Sequence, residues 1–518
     1  MIFRKYPFLS YFISILILTV VYWSFIGLNI QWLRAESGQY LIISSYDINS
    51  ILSFMASRFS NSYNGHYTPI LFNLEIVQSF ILGTNEILWK IRQAMGFSLL
   101  SLVTFMTFRS ALQNNQGTVI ASFVAFCVTA VFMLQPLMLD LVSWPFMMMQ
   151  ILFIALFLLA AYHLISFGRT PAKASSLWLA TACGYGTMHC LGTGVAVALS
   201  LIACLLVLLI LSYCDHGELR EQRRHLIWTL TALSILTSVH ALMMLRTPDV
   251  DVSTTGVGIV EAVRRLGGLF PAILFNSVRA MWAPQGFPWP NAKAIGSDAV
   301  YGWAMISMLL AIGIHLLREY SLNPTGEKLS TLLVYLYAVL TLLVIINLIV
   351  FRTSSNFDIE ILLSYLIGGR YLILIGICLL VIVAVLGMNG RPWHSGLTVS
   401  LSIMIAITGL VGNFVFAREM MPSIWPNTLI SHSKVWDAAT AYVRQAVTAG
   451  GPVEDVNMDK VSIEFRFRLS TFEPLLRRSL DLPDSTELIW HMPEQGLGDA
   501  HDGPALSEAR DALRSLFH

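Results

Sequence analysis

Charge is scarce in this chain. Asp, Glu, Lys and Arg make up 12% of its 518 residues, about half their share of a soluble globular domain, so water cannot be the solvent for most of it. The charges that are present cancel, 32 basic against 31 acidic for a net +1, which removes any bulk electrostatic case for nucleic acid. Paired cysteine spacing is missing too. Cys127, Cys183, Cys190, Cys204 and Cys378 fall inside apolar runs, and Cys214 sits at the edge of a basic loop. Without a Cys-x-x-Cys pair there is no disulfide framework to expect, and the thiols read as small buried apolar groups. The chain has no Walker loop, no His-Glu-x-x-His, no Gly-x-Ser-x-Gly and no nucleotide-sugar fold signature, so common soluble-enzyme chemistries have no handle here. No internal repeat or low-complexity tract is present.

What fills the chain is apolar: 56% of residues are hydrophobic and the mean hydropathy is +0.67. Runs close to the roughly 20 residues that cross a bilayer recur at 8–29, 87–108, 118–138, 146–167, 175–190, 192–213, 226–245, 300–317, 329–351, 371–388 and 395–416. The expectation is an all-α polytopic membrane protein of about eleven transmembrane helices, the fifth short and broken by Gly184 and Gly186. Arg4 and Lys5 precede the first run and no small-x-small cleavage site follows it, so it reads as a retained helix.

With Arg4 and Lys5 on the cytoplasmic side, each short loop on that side is basic: Arg109, then Arg169 and Lys173, then Arg220, Arg223 and Arg224, then Arg318 and Lys328, then Arg391. That bias sets orientation. It places three long segments, 30–86, 246–299 and 352–370, on the external face together with the C-terminus. The run Val260 to Leu266 is amphipathic and suits the membrane interface, with Trp282 and Trp289 at headgroup level. Residues 1–417 form the expected transmembrane domain and 418–518 an extracytoplasmic tail. In the tail, Val435, Trp436, Ala439, Tyr442, Val443 and Val447 follow helical spacing, whereas Val461, Ile463, Phe465, Phe467 and Leu469 alternate with polar residues at strand period. The tail therefore reads as a small soluble α+β unit.

The first external segment holds the most informative residues. It contains Ser45-Tyr46-Asp47, a short apolar run at Ile51, Leu52, Phe54 and Met55, and then Asn64-Gly65-His66-Tyr67-Thr68-Pro69. Asp47 has two readings, a helix N-cap or a chemically active carboxylate at the membrane face. A second acid, Asp140, sits in the short external hairpin Gln135 to Pro145. His189 lies in a Gly-rich turn between two spans, where the glycines suit either a ligand or tight helix packing.

This first loop resembles that of the GT-C superfamily of membrane glycosyltransferases, a group that includes the protein mannosyltransferase-like families, and Gly368-Gly369-Arg370-Tyr371 resembles the Arg-Tyr at a late helix start there. The resemblance covers roughly residues 1–417. Here one Asp stands where many members carry a pair of acids. The resemblance implies a polyprenyl-phosphate sugar donor, a glycan, lipid or protein acceptor in a bacterial cell envelope, an inverting reaction on the external face of the inner membrane, and Asp47 and Asp140 as the acids. Such transfer needs a base for the acceptor hydroxyl and cations for the departing phosphate. Arginine binds phosphate through its planar fork, which makes Arg370 the first candidate, with Arg265, Arg279 and Arg352 beside it and His66 as a further phosphate or acceptor ligand. No metal ligand set is readable and no cofactor is implied, although the superfamily differs on divalent cations. Two rival readings stay open. One is an O-antigen polymerase or ligase; the other is a transporter or flippase of lipid-linked glycan, which should carry ionisable groups inside its helices, where few are expected here.

Overall fold

The computed structural model describes residues 13–20, 47–61, 67–83, 86–113, 118–133, 148–214, 218–247, 259–275, 295–352, 373–382, 453–457 and 488–491, with positions 138, 141 and 384. These residues are mostly helical. Residues 13–20 form α1; α2 (Ile48–Ser57) and α3 (Pro69–Leu82) follow. Next come α4 (Glu86–Leu112), α5 (Thr118–Met133), α6 (Met148–Arg169), α7 (Ala174–Met188), α8 (Gly194–Cys214) and α9 (Arg223–Arg246). The short α10 (Ile259–Arg264) runs into a π-helical turn, Arg265–Leu269, before α11 (Ile295–Leu322), α12 (Gly326–Arg352) and α13 (Ile373–Ile382).

Six helices among the described residues are long and apolar enough to cross a membrane: Ile87–Leu112, Met148–Arg169, Gly194–Cys214, Arg223–Arg246, Ser297–Leu322 and Gly326–Leu348. They coincide with six of the expected spans. Shorter helices α1, α5, α7 and α13 fall within four more, and the last expected span, 395–416, lies outside the described residues. Two expectations change. The span around Gly184 and Gly186 is not broken: α7 continues through both, and Gly184 packs so closely on Leu201 that an added Cβ would lie 2.0 Å from its Cδ1. The segment 30–86, expected as one long external stretch that enters a helix at Pro69, holds there a fourteen-residue helix, α3, that turns back on α4 at Gly83. In the tail, β1 (Val453–Asn457) pairs in parallel with β2 (Leu488–His491). The strand expected at 461–469 and the helix at 435–447 lie outside the described residues.

The centre of the bundle is α6, which packs against α4, α7 and α12. It is apolar on every side, as a helix enclosed by others must be. The Phe157 ring stacks on Tyr337 of α12 at 4.9 Å, and the Tyr337 hydroxyl donates to the Phe157 carbonyl at 3.2 Å. On the other flank Thr107 of α4 donates to the Leu158 carbonyl at 3.1 Å. Hydroxyls that bond backbone oxygens this way are satisfied without water, which an apolar interior requires.

One end of the bundle carries the basic loops. Arg169 donates to the Ser110 carbonyl at 2.7 Å and Arg223 to the Ser212 carbonyl at 2.6 Å. Both carbonyls belong to last turns, of α4 and α8, where acceptors are otherwise orphaned and a cation suits the helix dipole. The arginines that the sequence offers as orientation signals thus also close helix ends. At the opposite end α3 folds back on α4 through Gly83, whose φ of +56° is left-handed backbone that glycine adopts freely. The buried indole of Trp89 donates to the Gly83 carbonyl at 2.9 Å and fixes that turn.

Candidate functional site

Asp47 is the N-cap of α2. Its Oδ1 accepts the Ser50 backbone N–H at 2.6 Å, which satisfies one of the donors left open at a helix start. That bond holds the fully exposed carboxyl below its ordinary range. The capping reading is therefore realised, on a carboxyl that stands exposed. At the other end of α2, Phe54 meets Phe72 of α3 edge-on at 6.3 Å and the Arg58 guanidinium covers the Phe54 ring at 4.5 Å.

Tyr67 joins this pair of helices to the bundle. It is buried at 4% exposure, and its hydroxyl donates to the Phe59 carbonyl, just past α2, at 3.2 Å. Its ring stands 5.5 Å from the imidazole of His240, near the end of α9. His240 in turn meets His189 at 4.9 Å with the two rings perpendicular, and Tyr185 meets His189 at 4.8 Å. The result is a chain of four rings, Tyr67, His240, His189 and Tyr185, drawn from the first loop, α9 and the end of α7 with its C-cap.

The backbone geometry of that turn is tight. An added Cβ on Gly194 would lie 2.0 Å from the Thr187 carbonyl oxygen, and the Thr187 hydroxyl donates to both Gly184 and Gly194 carbonyls at 2.6 and 3.2 Å. His189 caps α7 within this turn. Both of its ring nitrogens, Nε2 of His240 and the Thr193 hydroxyl are buried with no hydrogen-bond partner among the described residues. Burial pushes the His189 imidazole below its ordinary value. A neutral imidazole carries one donor and one acceptor, so the rings can donate to a phosphate or sugar oxygen and can also receive a proton. Unpartnered polar atoms withdrawn from water are costly, and their concentration at one spot marks it as the candidate site.

A second polar cluster lies on α3. Glu75 is fully buried and paired with Arg92 of α4, which also donates to Gln78 at 2.5 Å and to Gln93 at 3.1 Å. The second carboxylate oxygen of Glu75 has no partner among the described residues. Among the few ionisable groups inside the spanning helices are Arg92 and the buried His240.

Other expected site residues are distributed differently. Arg265 is buried, and its Nη1 donates to the Val350 carbonyl at 3.1 Å, in the last turns of α12. Arg352 closes α12, its side chain lying outside the described residues, as do His66, Asp140, Arg279 and Arg370. The ten residues of α2, about 15 Å of helix, separate the capping carboxylate of Asp47 from the end that Tyr67 binds. Asp47 and the imidazoles are thus at opposite ends of one short helix. Among the described residues no group of three or more His, Cys, Asp or Glu could hold a metal ion. Sequence reasoning reached His189 through its glycines but missed His240, Glu75 and Arg92, whose sequence neighbours form no recognisable motif. Compared with protein-family models, curated proteins and solved structures, the chain matches none.

Proposed function

We propose that this chain transfers a sugar from a polyprenyl-phosphate carrier to a hydroxyl of a cell-envelope glycan, lipid or protein, at the face of a bacterial inner membrane opposite its basic loops. The fold for that chemistry is a GT-C-like bundle of about eleven helices, with residues 418–518 as an extracytoplasmic α+β tail. One observation carries the reading. The first loop, where the GT-C resemblance resides, is anchored by Tyr67 on His240 beside His189, a cluster in which both nitrogens of His189 and Nε2 of His240 have no hydrogen-bond partner among the described residues.

In the reaction the acceptor oxygen bonds the anomeric carbon as the bond from that carbon to the phosphate oxygen breaks. The acceptor proton passes to a base, and the phosphate leaves with the electron pair. Asp47 is the carboxylate proposed as that base, with Asp140 as the second acid. His66, Arg265, Arg279, Arg352 and Arg370 are the donors proposed for the departing phosphate, and the imidazoles of His189 and His240, at the far end of α2 from Asp47, are proposed to bind a part of the acceptor or carrier away from the reacting bond.

A second reading, movement of a lipid-linked glycan across the membrane, is favoured by one specific observation: the buried pair of Glu75 and Arg92, since intramembrane ionisable groups often mark a transport path. Purified protein in liposomes with a polyprenyl-phosphate sugar separates the two. Release of free polyprenyl phosphate supports transfer. Sugar lipid that changes leaflet without being cleaved supports carriage and defeats transfer.

A further inference from the structure

The helix α3 has two faces of opposite setting. Phe72, Glu75, Ile76 and Ser79 are buried against the bundle, whereas Ile70, Leu74, Val77 and Ile81 are exposed, at spacings of four, three and four residues that define one stripe. An exposed stripe without a single polar residue is unsuited to water. On α4, Ile91 and Met95 are likewise exposed, Met95 at 68%, and α4 contains one of the six spanning segments.

The depth of α3 follows from its pairing. The contact between Glu75 and Arg92, together with the turn at Gly83, sets α3 antiparallel to the start of α4. Arg109, in the last turn of α4, marks the boundary at the basic end. Counting back the roughly 20 residues of a bilayer crossing reaches the neighbourhood of Trp89. Arg92, and Glu75 opposite it, then lie inside the hydrocarbon. Each residue from Glu75 toward Pro69 goes about 1.5 Å deeper, which brings Ile70 to about the level of residue 97. The stripes on α3 and α4 therefore share one depth and one apolar surface.

We propose that this outward face of α3 is a lipid contact: acyl chains of the leaflet farther from the basic loops cover Ile70, Leu74, Val77 and Ile81. The helix is then a half-membrane segment. Its fourteen residues, about 21 Å, are too short to span. It inserts beside α4 with its one acid turned inward onto Arg92. The ordering explains why the buried face of α3 is mixed in polarity while the exposed face is uniformly apolar, the reverse of a helix in water.

The test needs no substitution. The unmodified full chain is reconstituted in phosphatidylcholine nanodiscs and irradiated with a lipophilic aryl diazirine dissolved in the bilayer, and labelled residues are read by mass spectrometry. The expected result is carbene insertion at Leu74 and Val77 to an extent comparable with Met95. The inference is overturned if Met95 is labelled while the α3 stripe is not, whether water or a second copy of the chain covers it. It is equally overturned if a water-soluble diazirine labels Leu74 and Val77 more strongly than Met95.

Discussion

Tyr67 and His240 stand 5.5 Å apart, ring to ring, although 173 positions separate them in the sequence. The contact locks the loop after α2 onto the end of α9. Two substitutions separate its parts. Tyr67→Phe keeps the ring and removes the hydroxyl bond to Phe59, for a loss of about 1 kcal/mol. Tyr67→Ala also removes a buried ring, for a loss of about 3–5 kcal/mol. Denaturation of the purified protein should rank them in that order, and equal effects would place the stabilisation in the hydroxyl alone.

The ion pair of Glu75 and Arg92 makes a sharper prediction. Removing one partner leaves a buried charge uncompensated, at a cost of about 3–5 kcal/mol. Glu75→Leu or Arg92→Leu alone should therefore destabilise strongly, whereas the double variant should recover much of the loss. A double-mutant cycle on unfolding measures this, and additive losses would contradict a coupled pair.

Glycine contacts predict opposite outcomes at two sites. Gly194→Ala drives a methyl into the Thr187 carbonyl, an overpacking that costs about 1–3 kcal/mol and shifts the turn that carries His189. Gly267→Ala meets nothing within 4 Å, so its thermal midpoint should be unchanged or slightly raised. A Gly194→Ala protein with the wild-type midpoint would show that the turn yields freely.

His189 gives a pH dependence of known sign. Its folded pKa is lowered from an ordinary value of 6.5, so below about that pH the unfolded chain binds the proton more readily than the folded one. Stability from this group is complete above the ordinary value and declines as pH falls toward the folded one. Between pH 7 and 5 the wild-type midpoint should therefore fall further than that of His189→Asn. Parallel curves would remove His189 from the account.

Asp47→Asn tests the base. Asn caps a helix about as well as Asp, so α2 should persist while sugar transfer falls by roughly 10²–10⁴. Turnover near wild type in a folded Asp47→Asn protein would move the proton transfer elsewhere, and His240→Asn, compared side by side, tells whether the imidazoles take it.

Long apolar runs were the legible part of the sequence, because bilayer thickness imposes a length that residue counting detects. The six spanning helices lie where those runs lie. The capping geometry at Asp47 was legible too, from an acid immediately before an apolar stretch. The helical entry at Pro69 was legible, but the setting of α3 against α4 was not, since at fourteen residues it falls below the length of a span and contains Asn73, Glu75 and Gln78, which lower its apolar average. Nor was the chain of rings. Tyr67, Tyr185, His189 and His240 come from three separate segments, and no local period records a contact that only packing creates. The bond from Arg265 to the Val350 carbonyl was not legible either, because its acceptor lies 85 positions away.

The reversal at Gly83 also bears on how the chain enters the membrane as it is made. A lone charged residue at the middle of an inserting helix costs about 2.5–3.5 kcal/mol, and Glu75 would meet that barrier alone if α3 left the ribosome as an independent unit. Arg92 follows 17 positions later, within the same emerging stretch. Partitioned together as a hairpin, the two segments present lipid with a single neutral pair, so synthesis has to complete the first turns of α4 before α3 can settle.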